Sequence, residues 1–225
     1  MNKIKLILII LIAIILCGGL YLAGAYGVKT YMTKVANRTW EEAKNIKATT
    51  FHYNVSVEGK EGDTSKYTQT MIGDFKSTKE RKGTYASDNY TIKVNKEFII
   101  KDSIVYAKDT EGDKYFIWQV SDYPEAIYYN PFDLILATKT PTYLKKDKMN
   151  GQSYYIFQSS IKKSVKLSDY SASTMNLWVN IKTKQIDKVE FAGMQGKLNI
   201  TKTITFTDYD KAVDIQVPKN EEIAK

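Results

Sequence analysis

The sequence predicts a mainly β fold of the α+β class: a strongly curved antiparallel sheet, open as a half-barrel. It has a leading helix and a short central helix, and one transmembrane helix precedes it. Three observations predict this. From Thr50 onward, apolar residues recur with a period of two, in short β-branched or aromatic runs bounded by turn residues. Only two stretches beyond the N-terminus carry a helical pattern, so few helices are available to cover about eleven strands. A sheet that curves around its own apolar face meets that need. Finally, Leu6 to Val28 contains no charged residue, and Lys5 and Lys29 stand at its edges.

That first segment, as a helix, would be roughly 35 Å long, enough to cross a hydrocarbon core of about 30 Å with some tilt. Three readings fit it: an uncleaved anchor, a cleaved signal ending at Ala23-Gly24-Ala25, or a lipoprotein signal with Cys17 as the lipidated residue. The length of the run favours the anchor. Leu16 is large for the position before a lipidated cysteine, and Gly18 to Val28 stays apolar where a tether is normally polar. The flanking charges, Lys3 and Lys5 against Lys29, Lys34 and Arg38, are nearly balanced, and a long C-terminal domain is exported largely regardless of them. The expected organisation is a membrane segment at 1–28, an amphipathic helix at 29–48, a curved β domain at 49–218 and a charged tail at 219–225.

From Val28 to Ile46 the apolar positions Val28, Tyr31, Met32, Val35, Ala36, Trp40, Ala43 and Ile46 fall at helical spacing, with charges opposite them. Phe51, Tyr53, Val55 and Val57 then alternate with His52, Asn54, Ser56 and Glu58. After a turn at Gly59–Asp63 the runs Tyr67–Phe75, Tyr90–Asn95, Phe98–Lys101, Ile104–Lys108 and Tyr115–Val120 read as a meander, with Asp102-Ser103 as a tight turn. Asn130-Pro131 is a helix start, and Phe132, Leu134, Ile135 and Leu136 make a short apolar helix that ends before Pro141. The β pattern resumes after the hairpin signal Asn150-Gly151 with Tyr154–Gln158, Thr174–Ile181 and Gln185–Ala192. In the next strand Leu198, Ile200, Ile204 and Phe206 form one apolar face opposite a threonine face. Ala212–Val217 reads as the last strand.

The composition narrows the function classes. Of 33 basic and 25 acidic residues, two lysines and no acids lie in 1–28, which leaves +6 (31 − 25) for the remainder. No run reaches five like charges, so the surface reads as generally solvated. Cys17 is the only cysteine, which excludes disulfide and thiolate-metal chemistry from the domain. His52, the only histidine, lies on a polar strand face with no apparent nucleophile. Ser159-x-x-Lys162 and Ser87-Asp88-Asn89 match motifs of penicillin-recognising serine enzymes, but in reverse order and within a β pattern. Asp208, Asp210 and Asp214 lack the glycine and third ligand of a calcium loop. Asp109, Glu111 and Asp113 suit a hairpin tip. The expectation is no enzyme, no cofactor, no metal and no nucleic-acid partner.

The order of these elements resembles the LolA/LolB-like superfamily, and most of all its LppX/LprG-type bacterial envelope proteins. The likeness covers roughly residues 40–218. It is carried by the central "NPFDLIL" helix and the closing texture "MNLWVNIKTKQIDKVEF…TITFTDYDKAVDIQVP". The chain departs from the lipid-anchored members in lacking a good lipobox. The resemblance implies an apolar cavity that holds a lipid, an acyl chain or a lipoprotein, in a monomer attached to the membrane. The expected lining is Tyr53, Val55, Met71, Ile92, Phe116, Trp118, Phe132, Leu134, Leu136, Leu177, Val179, Ile200 and Ile204, with Pro131–Leu136 as a lid. The same side chains would also serve as an ordinary filled core. The alternative function is an anchored interaction domain that binds a protein or wall polymer through exposed residues such as Trp178, Tyr128 and Tyr129. Trp118 is expected inside, and Trp178 at the outer surface or a rim.

Overall fold

The computed structural model describes residues 25–44, 50–77, 79–88, 93–120, 140–160 and 171–224. A helix α1 (residues 25–44) is followed by β1 (Phe51–Glu61), β2 (Thr64–Ser77), β3 (Glu80–Asp88), β4 (Lys93–Lys101), β5 (Ile104–Asp109), β6 (Phe116–Gln119), β7 (Thr142–Met149), β8 (Gln152–Ser160), β9 (Ser171–Asn180), β10 (Ile186–Gln195) and β11 (Leu198–Thr207). All eleven strands form one antiparallel, open and curved sheet in the order β6-β5-β4-β3-β2-β1-β11-β10-β9-β8-β7. The chain thus runs from the centre to one edge, resumes at the opposite edge and returns to the centre. There β1 and β11 pair, Tyr53 opposite Phe206 and Val55 opposite Ile204. The mainly β, half-barrel expectation holds. Among the described residues no helix is long and apolar enough to cross a membrane. Most of the apolar run at 6–28, Cys17, the helix at 131–136, Ile92, Tyr128 and Tyr129 lie outside the described residues.

Alternation decides which face is buried. Phe51, Tyr53 and Val57 of β1 are buried while Asn54 is exposed, and Ile200, Ile204 and Phe206 of β11 are buried on the same side. The aromatic centre of this face is Phe51, stacked on Phe75 at 4.5 Å and edge-on to Phe206 at 5.5 Å. A second aromatic group lies in the other arm. There Tyr143 meets Phe157 and Tyr155 at centroid distances of 6.0 and 5.7 Å. Helix α1 packs against this group through Trp40, 5.7 Å from Phe157. Its buried stripe is Ala36, Thr39, Trp40 and Ala43, with Met32 and Val35 partly covered. Val28 and Tyr31, expected in that stripe, are exposed together with Tyr26.

Two glycines shape the N-terminal arm. Gly73 and Gly83 face each other across β2 and β3, and Tyr53 lies over them. A Cβ on Gly73 would meet the Lys82 carbonyl and would stand 2.8 Å from the Tyr53 hydroxyl. The pair therefore makes the hollow that the tyrosine fills. At the β7–β8 hairpin, Asn150 and Gly151 both take positive φ, 50° and 76°, as a two-residue primed turn requires.

Among the described residues the number of strands agrees with expectation, but only because differences compensate. Tyr90–Asn95 and Phe98–Lys101 do not form two strands: 93–101 is the single strand β4. β3 and β7 were not anticipated, since β3 carries Arg81, Gly83 and Ser87 on its inner side and β7 is an edge strand rich in lysine. Edge strands are commonly charged in this way, which discourages pairing with other chains. Ala212–Val217 is not a strand. It belongs to a strap that leaves β11 and is pinned by Asp210 N–H to the Thr50 carbonyl (2.9 Å) and by Lys82 Nζ to the Asp214 carbonyl (3.0 Å). Ile215 is buried along it. The strap ends in a 3-10 turn at Asn220–Glu222 beside Tyr115. There the Tyr115 N–H donates to the Glu222 carbonyl at 2.7 Å, and the Ala224 N–H donates to the Tyr115 carbonyl at 2.8 Å.

Candidate functional site

The concave face of the sheet is the candidate site, and the antiparallel register lays its residues out in lines across the strands. One line holds Val105, Ile100, Arg81, Phe75 and Phe51, with Trp118 at its β6 end. The next holds Ala107, Phe98, Gly83, Gly73, Tyr53 and Phe206, with Phe116 at its end. A third holds Tyr85, Met71, Val55, Ile204, Val189 and Leu177. Most of this surface is apolar, because every second residue of these strands is aliphatic or aromatic.

The lining residues expected from the sequence fall on this face where they are described. Tyr53, Met71, Leu177, Val179, Ile200 and Ile204 are buried, and Val55 packs partly buried against them. Leu177 and Val179 belong to one buried cluster with Trp40 of α1, and the same cluster takes in Phe75, Phe98, Ile100 and Val105 of the other arm. Trp118 is the correction. It lies on the expected face, opposite Val105, yet it is 46% exposed, and Phe116 is 55% exposed. Both stand on β6, a four-residue edge strand with a sheet neighbour on one side only. Face follows from alternation, whereas burial also needs neighbours. Trp178 is partly buried on the opposite, convex face, with Lys188 Nζ 4.3 Å from its ring centroid. Ile92, Phe132, Leu134 and Leu136 lie outside the described residues.

The concave face also carries polar groups that the sequence reading passed over. Lys202 stands between Val57 and Phe191 and is only 6% exposed. Burial pushes its amine down to about 8, because removing a charge from water favours the neutral form. Arg81 is buried three lines away. Burial pushes the nearby Tyr53 hydroxyl well up, partly opposed by the Arg81 charge. The signal for Lys202 was available: strict alternation puts residue 202 on the face of Ile200 and Ile204.

On the convex side, His52 pairs with Asp74 (Nδ1 to Oδ1, 2.9 Å), and Lys82 approaches the other Asp74 oxygen at 3.8 Å. These residues, with Asp208, Lys211 and Asp214, line a cleft of about 250 Å³. Lys211 holds the Asp208 carboxyl below the usual range. Among the described residues no three His, Cys, Asp or Glu side chains are grouped to hold a metal. Ser159 is buried on β8, and Lys162 lies outside the described residues.

No protein-family model matches the sequence, and no curated protein matches it. Solved structures do match. The chain aligns with the Mycobacterium tuberculosis lipoprotein LppX at a TM-score of 0.57 and 15% identity, over 80% of this chain and 96% of that one. LprF from Mycobacterium bovis aligns at a TM-score of 0.52 and 14% identity, over 83% of this chain and 96% of that one. Identities this low carry the fold and nothing finer. The open, curved eleven-stranded sheet of this chain is the LppX-type fold.

Proposed function

We propose that the protein is an extracytoplasmic, membrane-anchored monomer that binds or carries a lipid, an acyl chain or a lipoprotein against its concave face. One observation carries the reading. α1 packs on the β8 side of an apolar face, while Phe116 and Trp118 extend that face, exposed, at the β6 edge. Exposed aromatic surface continuous with a buried apolar sheet suits an acyl chain, which gains its affinity from removing such surface from water. LppX, whose fold this chain shares, is itself a lipoprotein, which is in keeping with attachment to a membrane. Membrane attachment is supported by the uncharged run from Leu6 and by Tyr26 and Tyr31, exposed at the start of α1, where aromatic residues suit a membrane–water interface.

The test is organic extraction of the full chain, purified from the membranes of its own cells in a mild detergent, followed by mass spectrometry. Recovery of about one acyl-containing species per chain, reduced when Trp118 and Phe116 are both changed to Ser, is the expected result. A lipid-free chain overturns the proposal.

A further inference from the structure

We infer that the concave face binds an acidic amphiphile, a single acyl chain or lipid with a carboxylate or phosphate head, and seats that head at Lys202. The inference rests on the proposed function and names the class of ligand. Its ground is a fourth line of the register, next to the one through Val55 and Ile204. Ser87, Gln69, Val57, Lys202, Phe191 and, beyond Met175, Ser159 stand in that order across seven strands. The change is abrupt. The neighbouring line is aliphatic from Met71 to Leu177, and this one places an ammonium, an amide and two hydroxyls on the same face.

Hydrogen-bond donors dominate the line. Gln69 Nε2 donates to Tyr85 Oη at 2.7 Å, which leaves the Tyr85 hydroxyl proton free to point elsewhere. Tyr67 and Ser87 are hydrogen-bonded to each other just beyond. Gln69 and Lys202 lie on β2 and β11 with β1 between them, two strand spacings or about 10 Å apart. Val57, itself buried, takes the place between them on β1, so the two polar groups flank an apolar side chain. At neutral pH the Lys202 amine, near 8, still carries its charge. An anion in this low-dielectric surround meets a stronger attraction than it would in water. The acyl chain would then follow the apolar lines toward Phe98 and Trp118. Arg81, the other buried cation of this face, stands three lines away among Phe75 and Ile100 and is the rival seat.

The experiment is native mass spectrometry of the full chain released from detergent, after incubation with equimolar palmitic acid and methyl palmitate. A second arm uses phosphatidylglycerol against diacylglycerol, which separates a phosphate head from a carboxylate. The wild type should favour the acidic member of at least one pair by about tenfold or more, the range of one charge-assisted hydrogen bond. Lys202→Met should bring that ratio to about one, and Lys202→Arg should keep the preference. Equal binding of acidic and neutral ligands by the wild type overturns the inference without any variant. So does an acidic preference that survives in Lys202→Met, which would move the seat to Arg81. No adduct of any kind overturns the proposed function itself, so the two failures are distinguishable.

Discussion

At the scale of single residues, Lys202 makes a pH signature. The unfolded chain keeps this ammonium up to about 10.5, whereas the folded chain releases the proton near 8. Between those values unfolding takes up a proton, so raising the pH stabilises the fold. The urea midpoint should therefore rise from pH 8 to about pH 10, and Lys202→Met should flatten that rise. Above that window the buried Tyr53 and Tyr209 hydroxyls, pushed up by burial, act in the opposite direction. The Gly73–Gly83 pair gives a second signature. Gly73→Ala places a methyl against the Lys82 carbonyl and the Tyr53 hydroxyl, and should cost about 1–3 kcal/mol, read as a lower melting temperature. A melting curve unchanged by Gly73→Ala would show that the sheet yields there. Legibility in the sequence was uneven at this scale. The faces of Tyr53, Met71, Leu177 and Ile204 followed from alternation, because the period is a property of the strand itself. The exposure of Trp118 did not follow, since it depends on β6 being the last strand of the sheet.

At the scale of elements, α1 is held by Trp40. Trp40→Ala should cost about 3–5 kcal/mol, the range for truncating a large buried aromatic. Trp40→Phe should cost much less, because among the described residues the buried indole N–H has no hydrogen-bond partner to lose. Thermal unfolding of both variants checks this, and equal losses would mean that the indole ring edge rather than bulk apolar volume holds the helix. The elements that were legible are those with one wet and one dry face, such as β1 and β11. β3 hid because Arg81, Gly83 and Ser87 interrupt its apolar side, and β7 because an edge strand has little to bury. The segment 212–217 has the opposite fault. Its Val213, Ile215 and Val217 alternate as a strand would, but its backbone is held by Lys82 at Asp214, and by Thr50 at Asp210 and Lys211 just before it, rather than by a ladder. Of the three only Ile215 is buried, and Val217 is exposed, so the alternation there marks a single anchor and not a strand face.

For the whole molecule, ligand uptake should appear as stability. A ligand that binds only the folded chain at a hundred times its dissociation constant adds about 2.7 kcal/mol, so the melting temperature should climb with added ligand and level off logarithmically. Palmitic acid is the probe to titrate, with scanning calorimetry as the readout. A melting temperature that does not move across saturating palmitic acid would count against uptake by the native state. The class of the fold was legible at this scale because pattern, turn chemistry and the scarcity of helices agreed. Where α1 lands on the sheet was not legible, because its apolar stripe does not name the strands it packs on.

The β1·β11 pairing has a consequence for how the chain is made. Tyr53 meets Phe206 only after every other strand has been synthesised, so the central seam of the sheet is the last to close. Until then β1 holds β2 on one side and presents an unpaired edge on the other, through the whole passage of β7 to β10. A contact this distant in sequence is slow to form, and an open strand edge is a template for wrong partners while it waits. Assembly is then a race between β11 arriving and a second nascent chain arriving first.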